Sequence, residues 1–210
     1  MSIITIIRHG TTEGIEKGQL QGSTNSPLSP RGRLEAQFTA EALKTHSIKT
    51  CYCSPLGRAR ETAAIICKPL GIKSVILEDL REYDFGWLEG HRYFKPPASN
   101  ASILIKLKSM ARLSLANISG ESLPHIRLRA KAVWKYLLEQ NLEGQNLIIT
   151  HGFFINIFFQ ELMRETPEFK SKLFDVFACS LTEIELISNH PKLLRMNDIS
   201  HLKELQTNDH

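Results

Sequence analysis

Two stretches of the chain run almost unbroken in apolar residues and then stop on a histidine and a glycine: IITIIRHG, Ile3 to Gly10, and NLIITHG, Asn146 to Gly152. A strand with one wet face alternates apolar and polar residues. A run without that alternation is buried on both faces, the pattern of a parallel strand in a sheet with helices above and below. TCYCS and SVILE read as further short strands. SLTEIEL has a period of two and reads as a strand with one wetter face, and KLLRMND reads as an edge strand.

Helical patterns fill the intervals. SPRGRLEAQFTAEALKTH places Leu34, Phe38, Ala42 and Leu43 near helical spacing after Pro30. LGRARETAAIICKPLG predicts a helix ended by Pro69 and Gly71. Ser122 to Gln140 predicts another, with Leu128, Ala132, Val133, Tyr136 and Leu137 on its inner side, and FFINIFFQELMRE an apolar one. Strand and helix in alternation imply an α/β fold: a three-layer sandwich, its doubly wound, mostly parallel sheet carrying helices on both faces. The 210 residues suit one domain, residues 1–210. His91 to Gly120 breaks the alternation with KPPASNAS and reads as a small inserted lid, residues 91–120. The tail KELQTNDH is polar and predicted to fray.

In open sheets of this kind ligands bind outside the carboxyl ends of the strands. Arg8 and His9 follow the first strand, His151 and Gly152 follow NLIIT, and Arg58 lies just after TCYCS. One fold rule therefore sends two histidines and two arginines to a common rim. A guanidinium grips phosphate oxygens through a planar fork of donors. A neutral imidazole can attack phosphorus to form a phosphohistidine, and neighbouring cations keep it neutral. The arginines supply the positive charge, so this chemistry calls for no metal and no cofactor. A leaving alcohol still needs a proton, and LEDLREYDFGWLEG offers Glu78, Asp79, Glu82, Asp84 and Glu89. Glu82, two residues past Leu80, is expected near the rim and is the preferred acid, though spacing alone does not choose among the five.

The net charge of +4 favours an anionic ligand but lacks the clustered basic stripe of a nucleic-acid binder. No apolar run nears a membrane span, and MSIITIIRHG lacks the parts of a signal peptide, so the chain reads as soluble and cytoplasmic. Its predicted partner is a small phosphorylated substrate, with no nucleic acid and no membrane; oligomeric state is not readable. Cys51, Cys53, Cys67 and Cys179 read as small apolar residues rather than disulfide or metal ligands. Trp87 and Phe85 read as packing groups, Arg60 as an exposed helix charge, and GESLPHI as a helix start with Ser119 or Glu121 near the cap. His91, His125 and His201 have no identifiable partner.

RHG, SPLGRARET, LREYDFGWLEG, GES and ITHG, in that order over nearly the whole chain, resemble the histidine phosphatase superfamily. This group includes cofactor-dependent phosphoglycerate mutases, the bisphosphatase domain acting on fructose 2,6-bisphosphate, and alpha-ribazole phosphatases. The resemblance implies His9 as nucleophile, Arg8, Arg58 and His151 as the phosphate pocket, and Glu82 as the acid. It also puts Gln21, Gly22 and Gly152 at substrate-contacting positions. Ile15 and Gln19 stand where many members carry asparagine and arginine. That weakens the case for a substrate with two phosphates, unless Lys95, Lys106, Lys108 or Arg112 of the lid substitutes. Three readings follow: a metal-independent phosphomonoester hydrolase acting through a phosphohistidine, a phosphoglycerate-mutase-type phosphoryl transferase, and a non-catalytic module that binds a phosphorylated ligand.

Overall fold

In the computed structural model, β1 (Ser2–Arg8) lies inside a sheet ordered β3-β2-β4-β1-β5-β6, with β2 (Ile48–Cys53), β3 (Ser74–Ile76), β4 (Gly144–Thr150), β5 (Leu181–Ile187) and β6 (His190–Asp198). The structure describes residues 2–92, 119–140, 142–164, 173–188 and 190–207. Most of the predicted lid, with Lys95, Lys106, Lys108 and Arg112, lies outside them. The pairings β3–β2, β2–β4 and β4–β1 are parallel. β5 and β6 turn antiparallel at the far edge, as the period-two pattern of SLTEIEL suits.

Alternate residues of the central strands face opposite layers. Ile4, Ile6, Tyr52 and Ile148 pack with the apolar faces of α4 (Leu123–Glu139) and α5 (Gly152–Leu162). Ile7, Cys51, Cys53, Leu147 and Ile149 pack with α2 (Pro30–Leu43) and α3 (Gly57–Leu70) on the other side. Burying each such aliphatic side chain contributes roughly 1.5–3 kcal/mol. Two apolar layers therefore hold the strand ends in place against the cost of the polar groups gathered there. All four cysteines are buried free thiols. No helix of the described residues is long and apolar enough to cross a membrane.

Local chemistry sets the helix limits. The Ser29 hydroxyl accepts the Gly32 N–H at 3.1 Å, and Pro30 fills the first turn of α2. Pro69 does not end α3, which runs on to Leu70. So near the end a proline forfeits one helical bond, and the N–H groups of Gly71 and Ile72 close the helix onto the Lys68 and Cys67 carbonyls. Gly71 takes φ 68°, a conformation that favours glycine.

On two helices one leucine of the apolar pattern turns outward while the rest of the pattern largely packs inward. On α4, Leu128 is 63% exposed, and the buried face is Ile126, Arg129, Ala130, Val133 and Leu137. On α2, Leu34 is 44% exposed, while Glu35 and Thr39 lie inside. In both, a polar residue with buried partners occupies the core stripe, and a count of apolar residues skips it. The cap of α4 is Ser122, whose hydroxyl accepts the His125 N–H, directly after Glu121.

Candidate active site

The sheet register builds the rim. Arg8 pairs with Thr150 across β1 and β4, so the next residue on each strand, His9 and His151, come side by side with ring centroids 5.0 Å apart. The His9 N–H donates to the Thr150 carbonyl at 2.9 Å, extending the ladder by one step. Cys53 pairs with Ile149, and Ser54 beyond it sets its hydroxyl 2.7 Å from His151 Nε2. Arg58, in the first turn of α3, is 1% exposed and donates from Nε to His9 Nε2 at 3.1 Å.

These contacts fix which nitrogen of His9 carries the proton. Its Nδ1 lies 2.8 Å from the Gly10 carbonyl, which only accepts, so Nδ1 bears the hydrogen. Nε2 faces a guanidinium N–H and therefore presents its lone pair. Burial first, then the Arg58 and Arg8 charges, hold the His9 pKa well below the ordinary value, so the ring stays neutral. His151 is held well below too, by burial and then by Arg58, His9 and Arg8. Arg58 is pushed down to about 10 by burial, with Arg8 adding, and remains a cation near neutrality.

A loop from Gln19 to Asn25 holds the Arg58 fork. Gly22 and Thr24 carbonyls accept its Nη2 and Nη1 hydrogens at 2.7 and 2.8 Å. With Nε on His9, three of the five guanidinium donors are engaged among the described residues, which leaves two for a ligand oxygen. A side chain at Gly22 would put its Cβ 2.5 Å from the Tyr83 carbonyl and against the Glu89 carboxylate, so glycine is needed for this close approach. Gln21 turns inward and accepts the Thr12 hydroxyl at 2.8 Å. Gly152 lies under Arg8, where an added Cβ would sit 3.4 Å from Nε, an ordinary contact. Arg8 donates to the Val176 carbonyl at 2.6 Å. Arg8 Nε and His151 Nδ1 are buried with no hydrogen-bond partner among the described residues, an arrangement that costs free energy until an acceptor or donor arrives.

Glu82 closes the opposite wall. The N-cap of α5 is His151, which gives no side-chain cap, and the Glu82 carboxylate supplies one from across the site. Oε1 accepts from Phe154 and Tyr83 N–H at 2.9 Å each, and Oε2 from Phe153 at 3.1 Å. Burial raises its pKa against the pull of those N–H groups and of Arg58, so the shift toward a proton carrier is present without any phosphate nearby. Among the described residues no group of three or more His, Cys, Asp or Glu is placed to hold a metal ion.

The five residues Arg8, His9, Arg58, Glu82 and His151 thus converge, while Gln21 and Gly22 shape the loop that grips Arg58. Ile15 is half-buried in α1 (Glu13–Glu16), and Gln19 is exposed and bridges Arg92 through the backbone. Trp87 is exposed, edge-on to His91, whereas Phe85 packs with Tyr83 and Phe153. Arg60 is exposed. His125 pairs with Glu121 at 2.7 Å and His201 with Thr39 at 3.0 Å. Sequence reasoning missed Ser54, Glu35 and Arg129, and took Glu89 only as one of five candidate acids. Glu35 takes the Thr11 N–H and hydroxyl and so shapes the turn after His9; Glu89 takes the N–H groups of Ser23, Thr24 and Phe85. The only local sign of Glu35 and Arg129 was a charge on the inner stripe of an amphipathic helix.

Residues 4–199 match the histidine phosphatase superfamily (branch 1). A probable phosphatase of Schizosaccharomyces pombe is 29% identical, over 97% of each chain. The probable phosphoglycerate mutase GpmB of Yersinia enterocolitica is 28% identical, over 87% of this chain and 84% of its own. A mutant phosphoserine phosphatase of Entamoeba histolytica, solved with phosphoserine, superposes with a TM-score of 0.77 at 26% identity, over 96% of this chain and 100% of that one. With these matches spanning both strand-end histidines, the chain belongs to the histidine phosphatase superfamily, branch 1.

Proposed function

We propose that the protein is a phosphomonoester hydrolase that works through a phosphohistidine at His9, on a small phosphorylated metabolite. The observation that carries this reading is the state of His9: neutral, with Nδ1–H tied to Gly10 and the Nε2 lone pair turned into a cup of two arginines. Nε2 attacks phosphorus as the bond to the leaving oxygen breaks. Protonated Glu82 gives that oxygen its hydrogen, and Arg8, Arg58 and His151 hold the phosphoryl oxygens. Water then attacks the phosphohistidine, Glu82 takes the proton from the water, and inorganic phosphate leaves with His9 restored. The phosphatase-named relatives support hydrolysis as the outcome.

A mutase-named relative favours a second reading, in which the phosphoryl group returns to another hydroxyl. Incubation with an aryl phosphate in the presence of chelator, followed by acid-sensitive phosphoenzyme trapping, tests the first. Release of phosphate with a label on His9 is the expected result, and turnover that vanishes with chelator would overturn the scheme. Feeding 3-phosphoglycerate and reading isomer against free phosphate separates hydrolase from mutase, with free phosphate expected. Tight binding of a phosphate ester with neither product would point instead to the non-catalytic module.

A further inference from the structure

The acid loop is held in an unusual way. Four successive carbonyls, those of Asp79, Leu80, Arg81 and Glu82, each accept a hydrogen bond from a side chain. Thr150 Oγ1 donates to Leu80 at 2.6 Å. Arg129 takes the other three: Nη1 donates to Asp79 at 2.6 Å and to Arg81 at 3.0 Å, and Nη2 reaches Glu82 at 3.4 Å. Glu121 grips the remaining edge of the same guanidinium, with Oε1 accepting from Nε at 2.7 Å and Oε2 from Nη2 at 2.6 Å. All five guanidinium donors are therefore engaged. Both side chains are buried, at 4% and 5% exposure. The Arg129 guanidinium carbon also sits 5.3 Å from the ring centre of Phe154, the residue whose backbone N–H donates to Glu82 Oε1.

A buried ion pair is poor value for stability alone, because desolvation offsets most of the attraction. What a planar fork with every donor assigned supplies is direction. We propose that Arg129, itself held by Glu121, is a positioning residue for the Glu82 carboxyl: it fixes the main chain beneath the acid so that the proton meets the leaving oxygen. The proposal rests on the phosphatase reading above. Arg129 touches neither nucleophile nor phosphoryl group in this role, and a lysine in its place would keep the charge while losing the fork.

The test compares kcat/KM on two substrates. An alkyl phosphate releases an alkoxide that must be protonated; dinitrophenyl phosphate releases a phenolate that needs no acid. Because kcat/KM ends at formation of the phosphohistidine, it reports only the step in which Glu82 donates. Arg129→Lys is expected to lower kcat/KM for the alkyl phosphate by about 100-fold, the order of loss from a misplaced group, and for dinitrophenyl phosphate by no more than about fivefold. Added to Glu82→Gln, the same change is expected to bring no further selective loss. An equal fall on both substrates would mark a merely structural role and overturn the proposal. If Arg129→Lys does not fold, the isosteric Thr150→Val removes the fourth carbonyl contact and is read in the same way: a smaller but still selective loss supports positioning, and an equal loss overturns it. A wild-type protein inactive on both substrates would remove the phosphatase reading itself, a result distinct from either.

Discussion

On the wall of the proposed nucleophile, His9 and His151 stand one step beyond the paired residues Arg8 and Thr150, and the ladder between β1 and β4 sets their separation. On the acid wall, Glu82 stands in a segment whose carbonyls go to Arg129 and Thr150 and whose carboxylate goes to the end of α5. The first wall is held by a repeating main-chain pattern that no single side chain maintains. The second is held by a few side chains, each with an assigned bond. Substitutions outside the reacting groups should therefore disturb proton transfer far more readily than nucleophilic attack.

The reacting groups themselves give the largest effect and the first way to break that contrast. His9→Ala is expected to take turnover and the trapped phosphoenzyme to the detection limit on every substrate, good leaving group or poor. Glu82→Gln is expected to cost about 10²–10⁴-fold on an alkyl phosphate and much less on dinitrophenyl phosphate, measured as kcat/KM. If Glu82→Gln proved as unselective as His9→Ala, the two walls would not divide the chemistry in this way.

The same division decided what was legible in the sequence. IITIIRHG and NLIITHG announce both the layer they belong to and the residues at their ends, because a strand buried on both faces needs a continuous apolar run and then stops. Arg58 followed from the same rule, whereas Gln21 and Gly22 of the loop that holds it came only through resemblance. The acid wall was legible only through resemblance, since spacing left five carboxylates open. Its supports were hidden for a physical reason: Arg129 reaches carbonyls some fifty positions away, and its place on the inner stripe of α4 does not say which carbonyls it meets. The outward turn of Leu128 on α4 has the same origin, because a residue that belongs inside is a charged one whose partners lie in another segment.

Protonation sharpens the comparison at a smaller scale. His9 and His151 are held below their ordinary pKa by burial first and by cations second. The unfolded chain then binds more protons than the folded one once the pH drops under roughly 6.5. Stability is full above that value and falls as the pH descends toward the folded-state pKa values, by up to about 1.4 kcal/mol per pH unit for each ring. Glu82 is shifted up, so its contribution has the opposite sign: full below its ordinary range and lost as the pH rises through the raised value. Urea denaturation between pH 7 and pH 5 is expected to show wild type losing stability faster than His9→Ala, which has one buried ring fewer. Parallel curves would mean that the nucleophile wall does not force its histidine neutral.

Gly22 touches both walls and carries the smallest of these effects. Its carbonyl receives Arg58, and its α-carbon lies against the Tyr83 carbonyl, next to Glu82. In Gly22→Ala the new methyl would fall 2.5 Å from that oxygen, so one side must give way. The neighbours of Gly22 on its own loop, Ser23 and Thr24, are exposed, whereas the acid segment is tied down at four carbonyls. The loop is therefore the side that moves, and with it the two carbonyls that hold the Arg58 fork. Overpacking of this kind costs about 1–3 kcal/mol of stability. The loss of kcat/KM is expected to be equal for alkyl and dinitrophenyl phosphates, because the cation cup serves both. A selective loss on the alkyl phosphate would show that the acid wall had yielded instead, and that its side-chain anchors are weaker than the loop they face.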